Sequence, residues 1–142
     1  MTHKITIPCH TSKLKDVRDF VSEVIRVFYL SEKEQFLLVL AIDEICANRI
    51  LHSNHNDTNR QLEVEIASQD DGAVIFCIKD EGDFFDLNHT DIIPVDRLVK
   101  DRRKGGLGVS LIKKIIDSVE VFKEGHYTIH RLIKKSSVTS QF

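Results

Sequence analysis

Tryptophan is absent, and proline occurs only twice, at Pro8 and Pro94. So few helix breakers leave room for uninterrupted helices on both sides of a loop-rich middle. Cysteine is sparse and odd in number: Cys9, Cys46 and Cys77 stand far apart among apolar neighbours. No CxxC pair is present, which argues against a zinc site or a thiol–disulfide couple and leaves small buried hydrophobes in a reducing cytoplasm. Seven histidines form neither an HxH nor an HExxH cluster, so a metal held by protein ligands alone is not expected. A surplus of either charge is also missing, because 20 Lys+Arg against 22 Asp+Glu leave −2. A surface built to grip a long nucleic acid needs a basic excess, so direct nucleic-acid binding is not expected. No apolar run approaches the roughly 20 residues of a membrane span, and the N-terminal segment has no signal-peptide core. The expectation is a cytoplasmic protein with no membrane association.

What is present is enough for one ordinary domain. A chain of 142 residues with 42% apolar and 30% charged residues is globular in composition, and at this length it buries about two-thirds of its unfolded surface. One domain is expected over residues 1–135, with a disordered tail at 136–142.

The pattern along the chain gives an order of elements. Ile5 and Ile7 alternate before Pro8, as in a short strand. Ser12 is placed to cap a helix carrying Leu14, Val17, Phe20, Val21, Val24, Ile25 and Phe28 on one face. Ser31 with Glu34 reads as a capping box before a second helix over about Lys33–His52. Leu62, Val64 and Ile66 alternate with Glu63 and Glu65, Asp70-Asp71-Gly72 is turn chemistry, and Ala73–Ile78 reads as a strand covered on both sides. Asp80–Lys104 has no period. A third helix is expected from near Gly108, and Val119–Phe122 and Tyr127–Lys134 read as a last hairpin. Strand, two helices, two strands, long loop, helix, two strands is not strict βαβ alternation. The expected fold is α+β: a two-layer sandwich, with a mixed, mostly antiparallel sheet and three helices on one face.

Three stretches carry chemistry. On the second helix Glu44, Asn48 and His52 fall four apart, so a carboxylate, an amide and an imidazole share a strip. A carboxylate can take a proton from a hydroxyl, and an amide oxygen is a hard neutral ligand suited to Mg²⁺. A solvated polar face gives the same pattern. Asp80 closes an apolar strand and Gly82 follows, so a carboxylate able to accept from an exocyclic amine stands beside a residue that lets a flat ring approach; a plain turn reads alike. In Lys104-Gly105-Gly106-Leu107-Gly108, running into a helix and preceded by Arg102-Arg103, backbone amides and a helix N-terminus offer donors to phosphate. A flexible hinge is the other reading. No GKS or GKT follows, so it is not a Walker loop.

The order EIxxN on a helix, DxG after a strand, then GGLG opening a helix resembles the Bergerat-fold, GHKL-type ATPases, the superfamily with a histidine-kinase-like ATPase domain. Within it the sequence is most similar to the anti-sigma-factor serine/threonine kinases of bacterial partner switching, through the D-x-G-D-x-F-D form at Asp80–Asp86 and the aliphatic helix after GGLG. The resemblance covers about Lys4 to Lys135. It implies ATP and Mg²⁺ as cofactors, with Glu44 as general base and Asn48 as the Mg²⁺ ligand. It implies Asp80 as the adenine-reading carboxylate, with Gly82 giving the ring room. Arg103, Lys104, Gly105, Gly106, Leu107 and Gly108 would form the phosphate side, residues 87–104 a mobile ATP lid, and Thr128 a water-mediated support for adenine.

The implied activity is phosphorylation of a small serine-bearing anti-anti-sigma protein by a kinase that also sequesters a sigma factor, with a homodimer expected at family level. The sequence also departs from the family pattern. Phe84 stands where a second glycine is common, Arg49 stands where alanine usually follows the asparagine, and Lys104 stands where an acidic residue often precedes GGLG. A buried Arg49 would need a partner. These departures keep open a non-catalytic nucleotide-binding module that acts by sequestration alone. A sensor histidine kinase catalytic domain is disfavoured, since no helix bearing a phosphoaccepting histidine precedes the domain.

Overall fold

The computed structural model describes residues 2–82 and 104–136. Its order is β1 (Thr2–Pro8), a 3-10 turn (Thr11–Lys13), α1 (Leu14–Ile25), α2 (Glu32–Asn48), a π-helical turn (Arg49–Ser53), β2 (Gln61–Ser68), β3 (Val74–Asp80), α3 (Lys104–Ile115), β4 (Ser118–Glu124) and β5 (Tyr127–Lys134). The strands form one five-stranded sheet in the order β1-β2-β3-β5-β4. All four pairings are antiparallel, and the parallel pairing that a mixed sheet would include is not found among the described residues.

One face of the sheet carries the core. Leu62, Val64 and Ile66 of β2, Val74, Phe76 and Ile78 of β3, and Leu132 of β5 meet Val17, Val21 and Ile25 of α1, Leu38, Ile42 and Ile45 of α2, and Ile112 and Ile115 of α3 with Ile116 just after it. Period-two alternation in the strands and period-three-and-four spacing in the helices thus converge on one apolar layer. The three helices lie on that face, as the composition and order of elements predict.

Several local expectations are corrected. Ala73–Ile78 was expected to be covered on both sides, yet the helices cover one face only. On the other face Ile75 is buried while Cys77 and Lys79 stay half-buried, and Lys79 Nζ sits 4.4 Å over the Tyr127 ring. Ser12 does not cap α1. Its hydroxyl is 2.8 Å from His10 Nδ1, and His10 accepts from the Ser12 amide, so that the chain enters α1 through a 3-10 turn. α1 ends at Ile25, before Phe28. The Ser31–Glu34 capping box is present in both directions, at 3.0 Å each way. α3 begins at Lys104 rather than near Gly108. Glycine disfavours helix interiors, which set the expected start too late, but amides of a first turn need no intrahelical partner.

Asp80, at the end of β3, lies opposite Leu62 on one side and Thr128 on the other. The last residue of the central strand is therefore held in register by strands from both halves of the chain. The expected lid at 87–104 lies, but for Lys104, outside the described residues. So do Arg102, Arg103 and Phe84, and the expected tail beyond Ser136.

Candidate nucleotide site

Glu44 and Asn48 stand one turn apart on α2 and are both half-buried, while Ile45, Cys46 and Arg49 between and beside them are buried. The polar pair therefore lies along the edge of the helix and not in the core. His52 does not continue the strip. At Arg49 the helix widens into a π turn, in which the Asn54 amide donates to the Arg49 carbonyl at 2.9 Å, and His52 is carried out to solvent. Such single wide turns reorient side chains locally. Arg49 itself, four residues after the buried Ile45, stays on the inner face of α2.

Arg49 is 2% exposed and Asp80 is fully buried. Arg49 Nε donates to Asp80 Oδ2 at 2.8 Å and Nη2 donates to Oδ1 at 2.6 Å, a two-point pairing of guanidinium and carboxylate. Nη1 donates to Ser53 Oγ at 2.8 Å, one turn further on. Oδ1 also accepts from Asn54 Nδ2 at 3.0 Å and from the Gly82 amide at 2.7 Å. Asn54, itself fully buried, donates the same nitrogen to the Arg49 carbonyl at 2.9 Å. Burying two charges is tolerated only when their geometry and hydrogen bonds are this complete. The requirement that a buried Arg49 find a partner is met, and the partner is Asp80.

Gly82 is packed by the protein itself. A Cβ there would fall 2.7 Å from the Ser53 carbonyl oxygen, and 2.8 Å from both Asn54 Nδ2 and Asp80 Oδ1. Thr128, fully buried on β5, donates its hydroxyl to the Gly82 carbonyl at 3.0 Å, and Lys123 Nζ donates to that hydroxyl at 3.3 Å. Thr128, 46 residues beyond Gly82 in sequence, is thus brought to the Asp80–Gly82 turn. Gly105, Gly106, Leu107 and Gly108 lie in the opening turns of α3, which packs against α2. Lys104 is the first residue of that helix, and Arg103 lies outside the described residues.

Ser53 and Asn54 were missed as site residues. Asn54 reads as ordinary turn chemistry in sequence, and only the π turn that buries it reveals its place beside Asp80. The three thiols are free. Burial pushes Cys9 up to about 11, with the Asp80 charge adding to the effect, and burial likewise raises Cys46 and Cys77 above the usual thiol range.

The two ends of the site differ in what they fit. Asn48 presents a half-buried amide one turn from the Glu44 carboxylate, a donor set that suits Mg²⁺ with a phosphate group. The Asp80 end presents a carboxylate already engaged by four donors from the chain.

A five-stranded antiparallel sheet with three helices on one face, a Glu–Asn pair on the second helix and an Asp–Gly at the end of the central strand define a histidine kinase-like ATPase domain. Residues 7–134 match the family model described as the histidine kinase-like ATPase domain, and the chain belongs to that family. Among named relatives, it is 28% identical over 96 residues to the serine-protein kinase RsbW of Bacillus subtilis, a match that spans 65% of this chain and 59% of that protein. It is 33% identical over 108 residues to the serine-protein kinase RsbW of Staphylococcus aureus, spanning 70% and 66%. The chain thus spans about three-fifths to two-thirds of the length of these relatives. Among solved structures, the RsbU and RsbW domains of a Mycobacterium tuberculosis protein superpose with a TM-score of 0.68 at 17% identity, covering 100% of this chain and 34% of that one. The SiaB–SiaC complex of Pseudomonas aeruginosa gives 0.60 at 12% identity, covering 93% and 88%. These two likenesses are of fold. Among the described residues no helix is long and apolar enough to cross a membrane.

Proposed function

We propose that the chain is an ATP- and Mg²⁺-dependent protein serine/threonine kinase of the anti-sigma-factor type. Its substrate is a small serine-bearing anti-anti-sigma protein, and it also sequesters a sigma factor; it works as a cytoplasmic homodimer. The observation that carries the reading is the Glu44–Asn48 pair on the accessible edge of α2, beside a helix that opens with GGLG, in a chain whose named relatives are serine-protein kinases.

The roles follow from the chemistry of each group. The Glu44 carboxylate accepts the proton of the substrate hydroxyl. Asn48 Oδ1 is the metal ligand, and backbone amides of Gly105, Gly106 and Gly108 donate to phosphate oxygens, with Lys104 and Arg103 adding positive charge. Bound Mg²⁺ supplies neutralisation of phosphate charge. A phosphoserine carries about −1.5 to −2 charge, enough to break a docked interface by repulsion and desolvation.

The second reading, a nucleotide-binding module that acts by sequestration alone, is favoured by the Arg49–Asp80 pair, which engages the carboxylate otherwise available to adenine. Incubation with γ-labelled ATP, Mg²⁺ and a serine-bearing partner separates the two. The kinase leaves phosphoserine on the partner, detected by mass spectrometry. A stable complex with no transferred label overturns the kinase. Millimolar Mg-ATP raises the melting temperature of the folded chain by mass action, and no shift in any variant overturns nucleotide binding altogether.

A further inference from the structure

We propose that Arg49 determines nucleotide affinity and base selectivity in this domain, by acting as an internal cation on the Asp80 carboxylate. The inference rests on the nucleotide-binding reading above and concerns the base end of the same site.

Asp80 Oδ1 accepts three hydrogen bonds, from Arg49 Nη2, Asn54 Nδ2 and the Gly82 amide, and Oδ2 accepts one from Arg49 Nε. A carboxylate offers about four lone-pair sites, so little acceptor capacity remains for an exocyclic amine. The guanidinium is not a loose side chain that a ligand could brush aside. It is buried, paired at two points, and anchored at a third by Ser53 Oγ. Its charge also cancels the negative potential that would attract the amine of a 6-aminopurine and repel the carbonyl of a 6-oxopurine. Selectivity of that kind comes from leaving a mismatched polar group unpaired against a committed acceptor. With Asp80 committed to Arg49, the mismatch loses most of its penalty. The domain therefore binds adenine nucleotides weakly, holds them chiefly by their phosphates, and separates ATP from GTP poorly.

Arg49 is a positioning residue in this account, and the readout that a merely structural ion pair would not move is the ATP-to-GTP preference. Mg-ATP and Mg-GTP are titrated against the full chain by displacement of a fluorescent nucleotide, in the wild type and in Arg49→Ala and Arg49→Gln, with folding checked by circular dichroism. Arg49→Gln keeps an amide donor in the same space and guards against failure of the alanine variant to fold. The expected result is an ATP affinity about tenfold tighter or more in the folded variants, with GTP affinity changed less than about threefold. Unchanged or weaker ATP binding in a folded variant, or an unchanged ATP-to-GTP ratio, overturns the inference and leaves the kinase reading standing. Failure of both variants to fold also overturns it, in favour of a purely structural ion pair. Absence of binding to either nucleotide in the wild type and in the folded variants overturns it together with the nucleotide-binding reading.

Discussion

Arg49 and Asp80, 31 residues apart in the chain, are joined inside the protein by contacts of 2.8 and 2.6 Å that tie the turn after α2 to the end of β3. Removing one member leaves the other charged and buried. Arg49→Ala is expected to cost about 3–5 kcal/mol of unfolding free energy, and the double change to Arg49→Ala with Asp80→Ala less than the sum of its parts. Urea denaturation of the two single variants and the double variant measures this. Additive losses would show that the pair has no coupling.

Gly82 is sensitive for a different reason. Gly82→Ala must displace the Ser53 carbonyl and the Asp80–Asn54 contact, an overpacking cost of about 1–3 kcal/mol. Gly125 supplies the control: it has φ +65°, and nothing lies within 4 Å of a Cβ placed there, so Gly125→Ala carries only backbone strain of about 1–2 kcal/mol. The Gly82 variant is also expected to blunt the effect of Arg49→Ala, because an added Cβ would fall 2.8 Å from Asp80 Oδ1 and push the carboxylate off its partners. Denaturation midpoints in the two backgrounds check it; a full Arg49 effect in Gly82→Ala contradicts the shared network.

Binding and transfer are expected to separate along α2. Glu44→Ala should keep Mg-ATP binding while lowering phosphoryl transfer about 10²–10⁴-fold, the usual contribution of a positioned base. Asn48→Ala should lose both. Nucleotide titration beside a transfer assay reads the two quantities, and full transfer by Glu44→Ala removes Glu44 from its assigned role.

The Cys9 thiol gives a pH dependence with a definite sign. Its folded value is raised to about 11 from 9.0, so the folded chain keeps the proton after the unfolded chain has begun to lose it. Its contribution is complete below pH 9 and is lost as pH rises towards 11. Wild-type stability is therefore expected to fall more steeply between about pH 9 and 11, from the unfolded to the folded value of the thiol, than that of Cys9→Ala. Parallel curves by denaturant titration contradict this. In the folded state at neutral pH, Cys9 and Cys46 should resist a thiol reagent that labels both in urea.

The helix cap offers a check on a local contact. Ser31→Ala removes one half of a reciprocal pair at the start of α2 and is expected to cost about 1 kcal/mol. A thermal melt measures it, and a neutral substitution shows that the cap contributes nothing to the folded domain.

Much of the architecture is legible in residue order alone. Leu62, Val64 and Ile66 announce a strand with one buried side, Ser31 and Glu34 announce a helix start, and Tyr127–Lys134 is a strand at the expected bounds. What periodicity leaves open is which face of β3 the helices cover, since Ala73–Ile78 is apolar on both sides of the alternation. The same holds for the Asp80 end of the site. Glu44, Asn48, Asp80 and Gly82 can be picked out by type and spacing, and Arg49 by its departure from the alanine common at that place. Arg49, four residues after the buried Ile45, falls on the inner face of α2 by helical period; what that period does not mark is the π turn, whose defining bond runs from Asn54 to Arg49 and which sets Asn54 beside Asp80. The pairing with Asp80 joins a helix end to a strand end, and local sequence carries no term for such a meeting.

The strand order has a consequence for synthesis. β3 has β2 on one side and β5 on the other, and β5 follows it by more than forty residues of chain. While the ribosome makes the intervening segment, the nascent domain holds its most apolar strand with one edge unpaired, and Asp80 lacks the neighbour at Thr128. The edge is closed and the site is completed in one event, when the last hairpin docks. Until it docks, the chain lacks both a closed edge on β3 and the Thr128 contact to Gly82, and the two arrive together.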